Sequence, residues 1–151
     1  MKRTYLRDGR APIPKSEITS QVMSSIRAKN TKPEITLRKA LWKNGLSGYR
    51  LHWKKVAGKP DIAYPKRKIA IFVNGCFWHR CPYCNPSFPK THIRFWKQKF
   101  KKNAERDLRK TQELQSLGWK VLIIWECQIN ESLQDCINRI KFLNYNLNKI
   151  Y

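Results

Sequence analysis

Two apolar runs, Ile69-Ala-Ile-Phe-Val73 and Trp119-Lys-Val-Leu-Ile-Ile-Trp125, bracket a long segment of helical character. Continuous apolar runs of this length read as buried strands. Strand, helix and strand in that order bring the second strand back parallel to the first through a right-handed crossover. Both strands then deliver the residues at their exits to the same edge of one sheet. Asn74-Gly75-Cys76 leaves the first, and Glu126-Cys127 leaves the second.

The flanking sequence supplies the other elements. Ser16 reads as the N-cap of a helix, with Glu17 at the positive end of its dipole and Val22, Met23 and Ile26 as its apolar side. After a basic loop, Thr31, Pro33 and Glu34 open a second helix with a cap, an early proline and an early acid. Leu37 and Leu41 of that helix face the core, and Asn44-Gly45 ends it. Residues 49–53 and 60–64 read as short strands, and Pro65 to Lys68 turns the chain back. With residues 69–73 they make an antiparallel meander. Residues 76–92 lack periodicity and hold Pro82, Pro86 and Pro89, which predicts a loop. The long helix starts at Ile93, carries Trp96, Phe100, Ala104 and Leu108 every four residues, and stops at Gly118. A last helix spans 131–146, with Leu133, Ile137, Ile140 and Leu143 on one side. The expectation is one α/β domain over residues 16–151, a mixed sheet flanked by helices, behind a basic arm over residues 1–15.

The formal net charge is +22, from 32 Lys and Arg against 10 Asp and Glu. A compact body with that charge attracts polyanions, nucleic acid first and an acidic membrane surface second. No apolar segment approaches the ~20 residues that span a bilayer. The basic N-terminus lacks the apolar stretch of a secretory signal. A cytoplasmic protein is expected, and cysteines there stay reduced, so a cluster of them reads first as metal ligands.

Cys76, Cys81 and Cys84 follow C-x4-C-x2-C, a chelating pattern for tetrahedral zinc. Cys127, at the exit of the parallel strand, is the best candidate for the fourth ligand, and His79 is another. Cys136 falls on the Leu133/Ile137 side of the last helix and reads as a core thiol. Four protein ligands make a structural site, with no open position for chemistry.

Asp61 follows Pro60 at a strand start, near a basic surface where a carboxylate can hold Mg²⁺ as a phosphate arrives. The carbonyl of Val73 is a suitable second oxygen ligand. His79 is a candidate general base or water positioner. Phe77, Trp78 and Trp96 sit among basic residues, and aromatic side chains can wedge into a base step. Trp96 fits ordinary core packing as well. Asn103 and Arg106 of the long helix can meet phosphates or base edges.

GKPD, IFVNGCFWHRCPYC, FWKQKFKKNAERD and LQSLGWKVLIIWEC, in this order, resemble the very short patch repair (Vsr) mismatch endonucleases over roughly Met23 to Cys127. The resemblance implies a restriction-endonuclease-like fold of the PD-(D/E)xK type with structural Zn²⁺. It implies a nick beside a thymine–guanine mismatch left by deamination of 5-methylcytosine. Asp61 then matches the metal-binding aspartate, Val73 a second metal contact, and His79 the catalytic histidine. Glu34 and Asp107 match active-site acids, and Cys76, Cys81, Cys84 and Cys127 the zinc set. Met23, Phe77 and Trp78 match the wedge beside the mismatch, and Trp96 a further aromatic there. Val73-Asn74 stands where the best-known member of the family has Thr-His, so the resemblance implies that Asn74 replaces a second active-site histidine. It can hydrogen-bond but is no base at neutral pH.

The function expected is therefore a Mg²⁺-dependent endonuclease that nicks one strand of mismatched double-stranded DNA as a monomer. Mismatch-repair proteins and a cytosine methyltransferase are implied partners, and a bacterial, nucleoid-associated setting is implied with them. Two alternatives share the core: a restriction-type nuclease that cuts matched duplex, and a catalytically silent, zinc-stabilised DNA-binding module.

Overall fold

The computed structural model describes residues 13, 16–25 and 28–146. The expected basic arm, Ile13 apart, lies outside the described residues. The elements run α1 (Glu17–Ser25), α2 (Lys32–Lys43), β1 (Arg50–Leu51), β2 (Ile62–Tyr64), β3 (Ile69–Asn74), α3 (Cys76–His79), α4 (Ile93–Ser116), β4 (Lys120–Trp125), α5 (Glu126–Glu131) and α6 (Leu133–Asn146). A single 3-10 turn, Pro65–Arg67, joins β2 to β3. Four strands form one sheet in the order β1-β2-β3-β4. The first three pair antiparallel, and β4 pairs parallel to β3, with Ile69 opposite Lys120 and Asn74 opposite Trp125. The single α/β domain, the meander and the parallel return are thus as the sequence predicts.

The alternation of side chains along β3 divides the core. Ile69 and Ile71 face one way, with Ile62, Ile124, Leu37, Leu41, Ile137 and Ile140. Ala70 faces the other, with Ala63, Leu114 and Trp119, and Phe72 packs on that side. Helices α2 and α6 cover the first face, and α4 lies against β4. Small alanines on the second face let the long helix come close. Cys136 is buried in the first cluster, as a core thiol. No helix among the described residues is long and apolar enough to cross a membrane.

The caps of the early helices are as expected. Ser16 Oγ accepts from the Thr19 N–H at 3.1 Å. Thr31 caps α2, and Gly45 takes the left-handed conformation after its end, with φ 72°.

Five expectations need correction. Val22 is exposed, so it does not form a buried side of α1; the Met23 side chain lies outside the described residues, as does Ile26. The strand over 49–53 shrinks to Arg50–Leu51 because His52 takes a left-handed φ of 46°, which ends extended pairing. The predicted loop over 76–92 opens with a four-residue helix, α3. The expected last helix is α6, but it starts at Leu133 because Ser132 is extended (φ −150°), and a further short helix, α5, precedes it. On α4 the buried residues are Trp96, Phe100, Asn103 and Leu114, while Ala104 and Leu108 are exposed. Four residues turn a helix by about 400°, so a strict four-residue repeat drifts about 40° per step and leaves the core after two steps.

Candidate active site and metal centre

Asp61 is placed by two strands. It precedes β2, and its Oδ2 accepts from the Val73 N–H of β3 at 2.8 Å. Its Oδ1 turns toward His52 Nδ1, 3.8 Å away. Burial, with the Glu34 carboxylate adding to it, pushes the Asp61 carboxyl up from 3.8 to about 6. The Val73 N–H, Lys110 and His79 oppose that rise. A carboxylate so desolvated gains most from a cation beside it.

Glu34 comes from the first turn of α2 and is almost wholly buried. Its Oε2 accepts from the Asn30 N–H at 2.9 Å, and its Oε1 from the Thr31 hydroxyl at 3.1 Å. His52 Nε2 is 3.7 Å from Oε2. Glu34, His52 and Asp61 bring one ligand atom each within 4.8 Å of one another.

His79 ends α3, at the exit of β3, and its Nδ1 meets Asp107 Oδ2 of α4 at 2.5 Å. A carboxylate only accepts, so Nδ1 carries the proton, and Nε2 is the ring nitrogen left for another partner. This bond uses His79 on the acid side of the site. The thiols are gathered without it.

An open cleft of about 1230 Å³ joins these groups. Glu34, His52, Asp61, Val73, Asn74, Trp78, His79, Asn103, Arg106 and Asp107 line it, with Lys59, Lys99 and Lys110 as nearby cations. Phe77 and Trp96 are not among its lining residues. They pack behind it: Phe77 makes edge contacts with Trp78, Trp96 and Phe100 at ring separations of 5.2, 5.4 and 5.4 Å. Asn103 is buried and donates to the Trp78 carbonyl at 3.0 Å, while Arg106 donates to Asn103 Oδ1 at 3.0 Å. This chain of bonds ties the end of α3 to α4.

Behind α3, the Sγ atoms of Cys76, Cys81, Cys84 and Cys127 lie within 4.8 Å of one another. Cys81 and Cys127 are 3.6 Å apart, against about 3.8 Å for the edge of a tetrahedron with ~2.3 Å zinc–sulfur bonds. Burial pushes the Cys76 thiol up, opposed by the Cys127 N–H, and pushes Cys127 up to about 11. Burial acts the same way on Cys81, but the N–H groups of Cys84 and Tyr83, with the neighbouring thiols, bring it below its ordinary value. Four packed sulfurs of this kind become four thiolates only with a cation among them. The set fits zinc. Cys127 reaches the cluster because β4 runs parallel to β3, and its N–H donates to Cys76 Sγ at 3.3 Å.

The family model for DNA mismatch endonuclease Vsr matches residues 13–85. The type II nicking enzyme V.NmeAIP of Neisseria meningitidis serogroup A is 40% identical over 123 residues, covering 80% of this chain and 87% of that protein. The chain belongs to the Vsr family of DNA endonucleases. The DNA mismatch endonuclease Vsr of Escherichia coli is 38% identical over 118 residues, 77% of this chain and 75% of that protein. The type II nicking enzyme V.XorIIP of Xanthomonas oryzae is 38% identical over 110 residues, 73% of this chain and 80% of that protein.

Within this Vsr-family chain, His52 is the cleft residue the sequence did not announce. Its signal was faint: a histidine at the end of an alternating edge strand, nine positions before Asp61.

Proposed function

We propose that this chain is a Mg²⁺-dependent endonuclease that nicks one strand of double-stranded DNA at T:G mismatches. The observation that carries the proposal is the placing of Asp61 and of the His79–Asp107 pair around the end of β3, on one cleft. A cation held by Asp61 and the Val73 carbonyl would neutralise charge on the scissile phosphate. His79, its Nδ1 proton fixed by Asp107, offers Nε2 to take a proton from the attacking water or to orient it. Water attacks phosphorus, and the cut leaves 5′-phosphate and 3′-hydroxyl ends. Lys59, Lys99 and Lys110 draw the DNA backbone toward the cleft.

The mixed sheet, with the acid entering its second strand, supports a PD-(D/E)xK-type core over residues 16–151, and residues 1–15 are assigned as a basic arm. Cys76, Cys81, Cys84 and Cys127 would hold Zn²⁺, and that cross-link would fix α3, which carries His79 and Trp78. Trp78 is the first candidate for contact with a distorted base step, with Met23 as a further member of the wedge, while Phe77 and Trp96 pack against Trp78 and support it. Asn103 and Arg106 act from α4, through the backbone of Trp78 as much as toward DNA. Asn74 lines the cleft in place of a second histidine. The names of the nicking relatives support a single-strand cut. The enzyme acts as a monomer, with mismatch-repair proteins and a cytosine methyltransferase as its cellular partners.

The test offers labelled duplexes, matched and T:G-mismatched, with Mg²⁺ or EDTA. The expected outcome is one nick in the mismatched duplex, in Mg²⁺ only, lost in Asp61→Ala with DNA binding kept. Equal cutting of both strands of matched DNA favours a restriction-type nuclease. No cleavage of either duplex overturns the proposal.

A further inference from the structure

Mg²⁺ prefers oxygen ligands and retained water, whereas imidazole suits first-row transition metals, Zn²⁺, Fe²⁺ and Ni²⁺ above Mn²⁺; Mn²⁺ shares the oxygen preference of Mg²⁺ but, as a member of that series, accepts a nitrogen ligand more readily. The Asp61 corner carries an imidazole. His52 Nε2 is 3.7 Å from Glu34 Oε2, and its Nδ1 is 3.8 Å from Asp61 Oδ1. Both separations exceed a hydrogen bond. The two distances end on different ring nitrogens, of which only one can face a given cation; one atom from each of the three residues lies within 4.8 Å of the others, against about 3–3.5 Å around a bound cation, so side-chain rotations close the set.

Each of the three side chains is already oriented from behind. Glu34 is held by the Asn30 N–H and the Thr31 hydroxyl. The Val73 N–H occupies Asp61 Oδ2 and leaves Oδ1 facing the imidazole. His52 is held at backbone and ring: its N–H donates to the Asp61 carbonyl at 3.0 Å, its φ is a left-handed 46°, and its Nε2 meets Asn30 Oδ1 at 3.4 Å, which leaves Nδ1, on the Asp61 side, as the nitrogen for a cation. That conformation turns the side chain out of the strand pattern and into the cleft. Such outer bonds, aiming each ligand at a common point, are the mark of a built metal site.

We propose that His52 is a nitrogen ligand of the cation held by Asp61 and the Val73 carbonyl, with Glu34 as a further protein ligand, so that the site binds Mn²⁺ in preference to Mg²⁺. The inference rests on the reading above that Asp61 holds the catalytic cation. It adds the ligand set and the class of metal.

The test uses the full chain with its cysteine site first filled with Zn²⁺. Mn²⁺ is titrated in and followed by EPR, and pulsed EPR reads coupling of Mn²⁺ to imidazole nitrogen. The unaltered protein should show that coupling, and labelling histidine with the heavier nitrogen isotope should change it. His52→Gln should lose the coupling and bind Mn²⁺ about tenfold or more weakly, with Mg²⁺ affinity changed far less. His79→Gln should keep it. The isotope experiment needs no variant, so a misfolded His52→Gln leaves the question decidable. No nitrogen coupling in the unaltered protein, coupling that survives His52→Gln, or coupling lost in His79→Gln overturns the proposal. Equal loss of Mn²⁺ and Mg²⁺ affinity in His52→Gln also overturns it, since that marks His52 as a mere brace between two acids. Nicking is scored separately: a protein that nicks without nitrogen coupling sinks this inference alone, and one with coupling but no nicking sinks only the endonuclease reading.

Discussion

The four-cysteine corner and the Glu34–His52–Asp61 corner each gather their ligand atoms within 4.8 Å, yet they are built in opposite ways. Three of the cysteines come from one short stretch, Cys76 to Cys84, and one strand exit adds the fourth. Cys81 leans on the N–H groups of Tyr83 and Cys84 in the same loop, and Cys76 on the N–H of Cys127. The set is complete at four and leaves no position for a substrate. The acid corner draws its members from α2, from the end of β1 and from the start of β2, and opens into the cleft. A closed, soft set belongs to architecture, and an open, hard set belongs to reaction. If that contrast is right, damage to one corner should show in stability and damage to the other in rate.

The largest effect is expected on the open side, at the partner of His79. Asp107→Asn replaces an acceptor with an amide that can donate to Nδ1, and so admits the tautomer with its lone pair on the wrong nitrogen. Single-turnover nicking should fall about 10²–10⁴-fold, the usual worth of a positioned acid or base, while DNA binding and melting temperature hold. A rate within threefold of the unaltered enzyme would remove Asp107 from the mechanism.

The closed side should answer in the other currency. Cys127→Ser should lower bound zinc well below one per chain and cost about 3–5 kcal/mol, part of the ~10–16 kcal/mol that a structural zinc typically supplies. Nicking falls as well, because Cys76 and Cys81 flank the helix that carries His79. Metal analysis with thermal unfolding checks this, and an unchanged one-to-one zinc ratio would break the four-cysteine assignment. Asp61→Ala should leave the zinc ratio alone.

The same contrast explains what could be read in the sequence. The cysteines were legible because most of them are close in sequence, and the last needed only the parallel return of β4. Asp61 and His79 were legible because each sits beside an unmistakable buried strand. Glu34 and Asp107 carried no local signature, and their roles came only from the family resemblance. His52 had neither. Its place depends on the β1–β2 register and on a left-handed backbone, and no window of sequence displays either. Helix α4 misled for a related reason: one of its buried positions is Asn103, a polar residue serving Trp78, so an apolar tally slid onto Ala104 and Leu108.

A smaller effect tests the charge at the open corner. The folded Asp61 carboxyl titrates at about 6 instead of 3.8, so the folded state favours the protonated form. Stability from this group is full below pH ~4 and is lost as pH rises through about 6. At ~1.4 kcal/mol per pH unit the ceiling is roughly 3 kcal/mol, and water at the cleft leaves about 1–2. In zinc-loaded protein without other divalent cations, Asp61→Asn should therefore be more stable than the unaltered chain at pH 7.5 and equal to it at pH 4. Unfolding curves at the two pH values check it. A variant less stable at pH 7.5 would mean that the Val73 N–H bond to a carboxylate outweighs desolvation.

The smallest effect concerns how Lys110 reaches the open corner at all. Gly58 has φ 75°, and a Cβ there would meet Lys110 Cβ and Cγ at 3.0 Å. The lysine stem thus runs through space that a side chain at position 58 would fill. Gly58→Ala should cost about 1–2 kcal/mol, from left-handed strain plus the contact. A double-mutant cycle separates the two parts. Lys110→Ala keeps its Cβ but removes Cγ and Cδ, so it should recover part of the contact cost while the backbone strain remains. If the two substitutions add with no coupling, the close approach of Lys110 is not what demands glycine here. Coupling of a few tenths of a kcal/mol or more, together with weaker DNA binding in Gly58→Ala, would tie this turn to the cleft it borders.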